Sequence, residues 1–242
     1  MAKRFVLADY LYAHRGLWTG HEAPENTHAA FDAAAKHGLG MEFDIRPASG
    51  GDPVIHHDET LERMASRPDR VEEQSIDVLR NVQIAGAHNL PSFESLLASW
   101  HHDLPLLTEM KIDGQTDPQE FGRKTGKMLQ TYPGLAAAMS FSEPAVRALP
   151  KDVMRGQLIG PSHKIGRERF NEILERALAD HIDYVAINIT DVDGIRADVP
   201  DDYPIVCWTV RTLDEVRIAV HENVAIIFEH LDPALVSAYA LP

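Results

Sequence analysis

Two histidine-bearing segments flank a strand that carries a pair of carboxylates: His14-Arg15-Gly16, then Glu42-Phe43-Asp44, then His56-His57-Asp58. A fourth segment, Glu109-Met110-Lys111, ends a later apolar run. Together they supply candidate metal ligands, an acid, a base and two cations. Displacement at phosphorus assisted by a divalent metal needs this set. The metal draws charge off the phosphate oxygens, and one group takes a proton while another returns one.

Glu42 and Asp44 stand two residues apart, so on a strand both side chains point to one face. Two carboxylates buried side by side repel, and a hard cation resolves the repulsion. An all-carboxylate donor set suits Mg²⁺ or Ca²⁺, with Mn²⁺ also compatible, better than Zn²⁺. The rival is a surface strand with two solvated acids. Met41, Phe43 and Ile45 weaken that rival, because they need apolar partners on the opposite face. Glu109 and Lys111 repeat the spacing. Glu109 can be a third ligand and Lys111 a phosphate cation, or the two can form a purely structural ion pair.

His14 and His57 each end an extended segment, and two imidazoles can serve as acid and base near neutral pH. Arg15, directly after His14, is a bidentate phosphate donor type. Alternation lets only one of His56 and His57 face inward, and the spacing does not choose. Asp58 either orients an imidazole or caps the next turn. Of the 13 histidines, most, such as His101, His102 and His181, read as ordinary surface or core residues. Glu25 lies at the start of the first helix, where it suits the helix dipole or the site. Asn26 or Thr27 is the expected N-cap. Trp208 either walls a pocket or packs outward, and Glu229 ends the last strand.

Positioning these residues requires strands with a common open end. Apolar runs recur at Tyr12–Arg15, Gly40–Arg46, Leu104–Ile112, Ala136–Phe141, Val153–Ile159, Tyr184–Ile189, Pro204–Val210 and Val224–Glu229. Helical segments separate most of them, among them Asn26–His37, a helix begun by Ser92, Pro118–Tyr132, Arg167–Asp180, Thr212–Glu222 and Asp232–Ala240. This alternation over 242 residues predicts an α/β single domain, a closed (β/α)8 TIM barrel spanning 1–242. An open doubly wound sheet is the runner-up. It would need a switch point at the site, and no Gly-rich phosphate loop marks one. Candidate residues at the C-terminal ends of separate strands favour the barrel. Pro53–His57 is a further extended piece, and Asp58–Leu90 is read as a short, irregular excursion after the second strand. It would fold over the mouth as a lid or an oligomer contact.

The formal net charge of −14 argues against nucleic acid or an acidic membrane as the main partner. It allows a small anion held by a metal and local cations. The single Cys207 excludes an internal disulfide and reads as a small buried hydrophobe. The apolar run after Lys3-Arg4 is too short for a signal-peptide core, and no stretch is long enough to span a bilayer. The expectation is a soluble, cytoplasmic protein without membrane insertion, and a homo-oligomer is left open.

The motifs His14-Arg15-Gly16, Pro24-Glu25-Asn26-Thr27, Glu42-Phe43-Asp44, His57-Asp58 and Glu109-Met110-Lys111 occur in this order. Each is weak alone. As an ordered set they resemble the glycerophosphodiester phosphodiesterase family. The likeness continues through Pro91–Leu97 and Cys207-Trp208-Thr209-Val210. The resemblance implies a barrel and metal-dependent hydrolysis of a small glycerophosphodiester to sn-glycerol 3-phosphate and an alcohol. It implies Glu42, Asp44 and Glu109 as metal ligands, His14 and His57 as acid and base, and Arg15 and Lys111 on the phosphate. It thereby selects His57 over His56. Two features depart from the family: the excursion is short beside members with a sizeable inserted subdomain, and Glu229-His230-Leu231-Asp232-Pro233 replaces the commoner Thr-Asp-Tyr-Pro. Both bear on which substrate is taken. Rival readings are a phospholipase D-like enzyme acting on lysophospholipids, a catalytically silent anion-binding barrel, and a metal-dependent aldolase or isomerase.

Overall fold

A computed structural model describes residues 2–100 and 103–240; His101 and His102 lie outside them. The chain opens with β1 (Leu11–His14), α1 (His28–Lys36), β2 (Gly40–Pro47) and β3 (Pro53–Ile55). An excursion follows with α2 (Glu62–Ala65), α3 (Ile76–Leu79), β4 (Gln83–Ile84) and β5 (His88–Asn89). The alternation resumes with α4 (Phe93–Ser99), β6 (Leu106–Met110), α5 (Pro118–Thr131), β7 (Ala136–Ser140), α6 (Glu143–Ala148) and β8 (Met154–Leu158). It ends with α7 (Ser162–Ile165), α8 (Arg167–Ala179), β9 (Tyr184–Asn188), β10 (Ile205–Val210), α9 (Leu213–His221), β11 (Ala225–Phe228) and α10 (Pro233–Ala240).

Parallel pairings run β1-β11-β10-β9-β8-β7-β6-β2, and β2 pairs back with β1. That pairing closes the expected eight-stranded barrel and excludes the open sheet. β3 is not a barrel strand; it lies antiparallel on the end of β2.

Local chemistry starts and stops the elements. Thr27 caps α1 by accepting from the Ala30 amide, and Ser92 does the same for α4 from Ser95. Asp117 caps α5, with Pro118 in its first turn. Thr212 and Glu215 form a capping box on α9. Every residue of β2 is buried, because one face meets the barrel interior and the other the helices. Met41, Phe43 and Ile45 pack outward with Phe31 and Phe93. Tyr12, Leu107, Met139, Tyr184, Val206 and Ile227 fill the barrel below its mouth. Cys207 is fully buried, as expected.

The excursion is more ordered than its sequence suggests. Leu61, Val71, Leu79, Val82, Ile84 and Leu90 bury one another against Ala48 and Val54. This satellite core is separate from the barrel clusters. Its apolar residues are spaced irregularly, so no helical or strand period announces it. Among the described residues, no helix is long and apolar enough to cross a membrane.

Candidate active site

Barrel register assembles the site. His14 on β1 pairs with Glu42 on β2, and Asp44 on β2 pairs with Glu109 on β6. One ligand oxygen from each of Glu42, Asp44 and Glu109 lies within 4.8 Å of the others, and all three residues are buried. Glu42 Oε1 is buried with no hydrogen-bond partner. A buried carboxylate oxygen left without a donor is costly, and a divalent cation bound by all three carboxylates would satisfy it. The donor set therefore fits a hard ion.

Two cations share the load. Lys111 Nζ sits 3.0 Å from Asp44 Oδ1 and 2.6 Å from Glu109 Oε1. Arg15 Nε lies 3.3 Å from Asp44 Oδ2. Burial works against the Asp44 charge, yet Lys111 and Arg15 hold its pKa well below the usual carboxylate range. Glu42 goes the other way: burial, then the charges of Asp44 and Glu109, push it up. Glu109 is also raised, by burial first, with Lys111 opposing. Crowded carboxylates of this kind disfavour one another's charge, and a shared cation relieves that repulsion. Burial disfavours the Lys111 charge, but Asp44 and Glu109 more than compensate and raise it.

The imidazoles are each oriented by a carboxylate. His14 Nδ1 donates to Glu229 Oε2 at 2.5 Å, which leaves Nε2 on the pocket side, 3.8 Å from Glu42. Glu229 is acidic, about 2: burial opposes, but His14 and Arg211 prevail. His57 Nδ1 donates to Asp58 Oδ1 at 2.8 Å, so Asp58 orients an imidazole. Burial lowers the basicity of His57, against the pull of Asp44. His56 turns away, buried, with Nε2 against Thr60 O at 3.0 Å.

His14, Arg15, Glu42, His57, Glu109, Lys111 and Trp208 line one pocket of about 270 Å³ with Phe141, Thr209 and Arg211. Trp208 meets Phe141 edge-on at 5.7 Å, so it walls the pocket rather than packing outward. Thr209 and Arg211 reach the same pocket because the β10–β11 register shifts between Cys207 and Val210. Glu25 does not line it. Its carboxylate sits behind Arg15, 2.8 Å from Nη1, and also holds Arg63. Both of its oxygens accept hydrogen bonds from arginines.

Three residues contribute in ways not assigned from the sequence. Asn26 is not a helix cap; its side chain holds Asp44 at both ends. Arg46 donates from Nε to His57 O at 2.7 Å and pairs with buried Asp113. Arg63, from α2, bonds Glu25 and Asp58. For Arg46 a signal existed: it continues the inward series Glu42, Asp44, Arg46.

The site thus sits at the mouth of a (β/α)8 barrel, on the C-terminal strand ends. The glycerophosphoryl diester phosphodiesterase family model matches residues 14–146, and the chain belongs to that family. Its matched stretch is 42% identical to Homo sapiens glycerophosphodiester phosphodiesterase 1 over 79 residues, covering 32% of this chain. The match spans only 23% of the human protein's length. Among solved structures, an Oleispira antarctica phosphodiesterase in complex with the product sn-glycerol 3-phosphate superposes with a TM-score of 0.79 at 19% identity. It covers 95% of this chain and 96% of that one. A Parabacteroides distasonis glycerophosphodiester phosphodiesterase gives 0.78 at 17% identity, covering 96% of each. At these identities the superpositions speak for the shared fold.

Proposed function

We propose that this protein hydrolyses glycerophosphodiesters to sn-glycerol 3-phosphate and an alcohol, with a divalent cation held by Glu42, Asp44 and Glu109. The observation that carries this reading is the buried triad with its unpartnered Glu42 oxygen, set between two carboxylate-oriented imidazoles. Family membership and the product-bound Oleispira relative support the substrate class. Mg²⁺ or Ca²⁺, with Mn²⁺ as a substitute, fits the all-oxygen set.

When bound, the cation supplies Lewis-acid neutralisation of the phosphate charge. Arg15 and Lys111 hold the remaining phosphate oxygens and orient the diester. His14 and His57 are the acid–base pair. One takes the proton of the incoming oxygen, and the other returns one to the departing alcohol. Nδ1 of each ring is committed to its carboxylate, so Nε2 is the nitrogen that exchanges the proton. Trp208 walls the substrate pocket. Residues 1–242 act as one domain, and the reading is of a cytoplasmic protein acting on a dissolved diester. The apolar part of the wall, with Met139, Phe141, Leu158 and Ile227, favours one second reading, cleavage of a lysophospholipid.

The test is release of sn-glycerol 3-phosphate from glycerophosphocholine and glycerophosphoethanolamine by metal-stripped protein, with Mg²⁺, Ca²⁺ or Mn²⁺ restored singly. Metal-dependent release, lost in Glu42→Ala and His14→Ala, supports the proposal. No release with any ion rejects it, and faster turnover of micellar lysophosphatidylcholine selects the second reading.

A further inference from the structure

One short helix of the excursion after β3, α2, carries a side chain, Arg63, that bonds the carboxylates behind both His57 and Arg15. Arg63 places Nη1 2.9 Å from Glu25 Oε2 and Nη2 2.8 Å from Glu25 Oε1, a bidentate pair. Its Nε lies 2.6 Å from Asp58 Oδ2. The other oxygen of Asp58 orients His57, and Glu25 Oε1 also holds Arg15. A continuous chain of charged hydrogen bonds therefore runs His57–Asp58–Arg63–Glu25–Arg15. Arg63 itself does not line the pocket.

We propose that Arg63 is a positioning residue that fixes the geometry between His57 and Arg15, and that the excursion exists in part to deliver it. This rests on the acid–base and phosphate-binding roles proposed above. Three facts argue for a built device. First, Glu25 is buried and carries two guanidinium partners, so its charge is committed to holding both in register. Second, only a planar guanidinium reaches two carboxylates through three separate N–H groups; a lysine ammonium cannot repeat that fork. Third, α2 is anchored by Leu61, fully buried in the satellite core, two residues before Arg63. The backbone position of Arg63 is thus set by packing that does not depend on the active site. Without Arg63, Asp58 loses a partner that keeps it ionised, and Arg15 gains freedom to swing off the phosphate.

Kinetics of Arg63→Ala and Arg63→Lys with the metal-loaded protein test this, with Arg80→Gln as a control. Arg80 lies in the same excursion and, among the described residues, pairs with Asp77 and Glu94 at the surface. Both Arg63 variants should lose kcat by about tenfold or more, with folding intact by circular dichroism, and Arg80→Gln should match the parent. Millimolar guanidinium should restore part of the kcat of Arg63→Ala, which a merely structural role would not allow. A kcat within twofold of the parent in Arg63→Ala overturns the proposal. Equal losses in Arg80→Gln do the same. Amide hydrogen exchange, which needs no turnover, separates this idea from the functional reading. If the parent shows no diesterase activity, faster exchange in Arg63→Ala at both residues 23–27 and residues 56–60 still supports the bridge. Unchanged exchange at either segment removes it.

Discussion

Asn26 grips Asp44 from two directions: its side-chain amide donates to Asp44 Oδ2 at 2.9 Å, and its carbonyl oxygen accepts from the Asp44 backbone amide at 3.2 Å. The first turn outside α1 thereby locks the central ligand of the acidic triad. Asn26 adopts a left-handed backbone, φ 58°, which asparagine tolerates better than most residues. Asn26→Gly should keep that backbone unstrained and remove both bonds. Divalent-ion affinity, read by calorimetry, should fall by about tenfold with the fold intact. Unchanged affinity would show that Asp44 needs no such grip.

Glu42 carries the unpartnered oxygen of the triad. An ion at one hundred times its dissociation constant should stabilise the protein by about 2.7 kcal/mol, a rise in Tm of about 5–10 °C. Glu42→Gln should erase that rise. Its ion-free form should melt no lower than the ion-free parent, because one of three crowded carboxylates is gone. A parent whose Tm ignores Mg²⁺, Ca²⁺ and Mn²⁺ would argue against a metal site.

Glu229 has its folded-state pKa lowered to about 2, from the ordinary glutamate value of about 4.3. The folded state therefore binds fewer protons than the unfolded one between those values. Its stabilising contribution is complete above about pH 5 and is lost as pH falls toward 2. Urea midpoints of the parent and of Glu229→Gln should differ most near neutral pH and converge only as pH falls to about 2. Parallel curves would mean that the His14–Glu229 and Arg211–Glu229 contacts contribute no pH-dependent stability.

Gly16 follows Arg15 with φ 80°. A methyl group there would meet the Ala30 carbonyl carbon at 2.8 Å and the Phe31 ring at 2.9 Å. Gly16→Ala should cost more than about 1 kcal/mol. It should also raise KM, because the strained turn carries Arg15 away from the phosphate. A Tm within a degree of the parent would refute the close-packing argument.

The legible part of this protein was local. Strand alternation puts Glu42 with Asp44, and Glu109 with Lys111, on single faces whatever the fold. Apolar neighbours such as Phe43 and Met110 mark those faces as interior. Thr27, Ser92 and Thr212 announce their helices through hydrogen bonds that span a few residues. The eight apolar runs with intervening helices point to a barrel, and the closing β1–β2 pairing decides it against an open sheet.

What tertiary structure alone decided was pairing across distance. The glutamate that orients His14 lies 215 residues away, and it arrives only because closing the barrel sets β1 beside β11. His57 rather than His56 faces the site because β3 folds back antiparallel on β2 and Arg46 fixes the His57 carbonyl. Arg63 reaches Glu25 and Asp58 because an aperiodic set of apolar residues forms its own small core. Backbone periodicity and capping are properties of neighbouring residues, so sequence carries them. Which charged groups meet depends on how strands close and loops pack, and no local pattern encodes that.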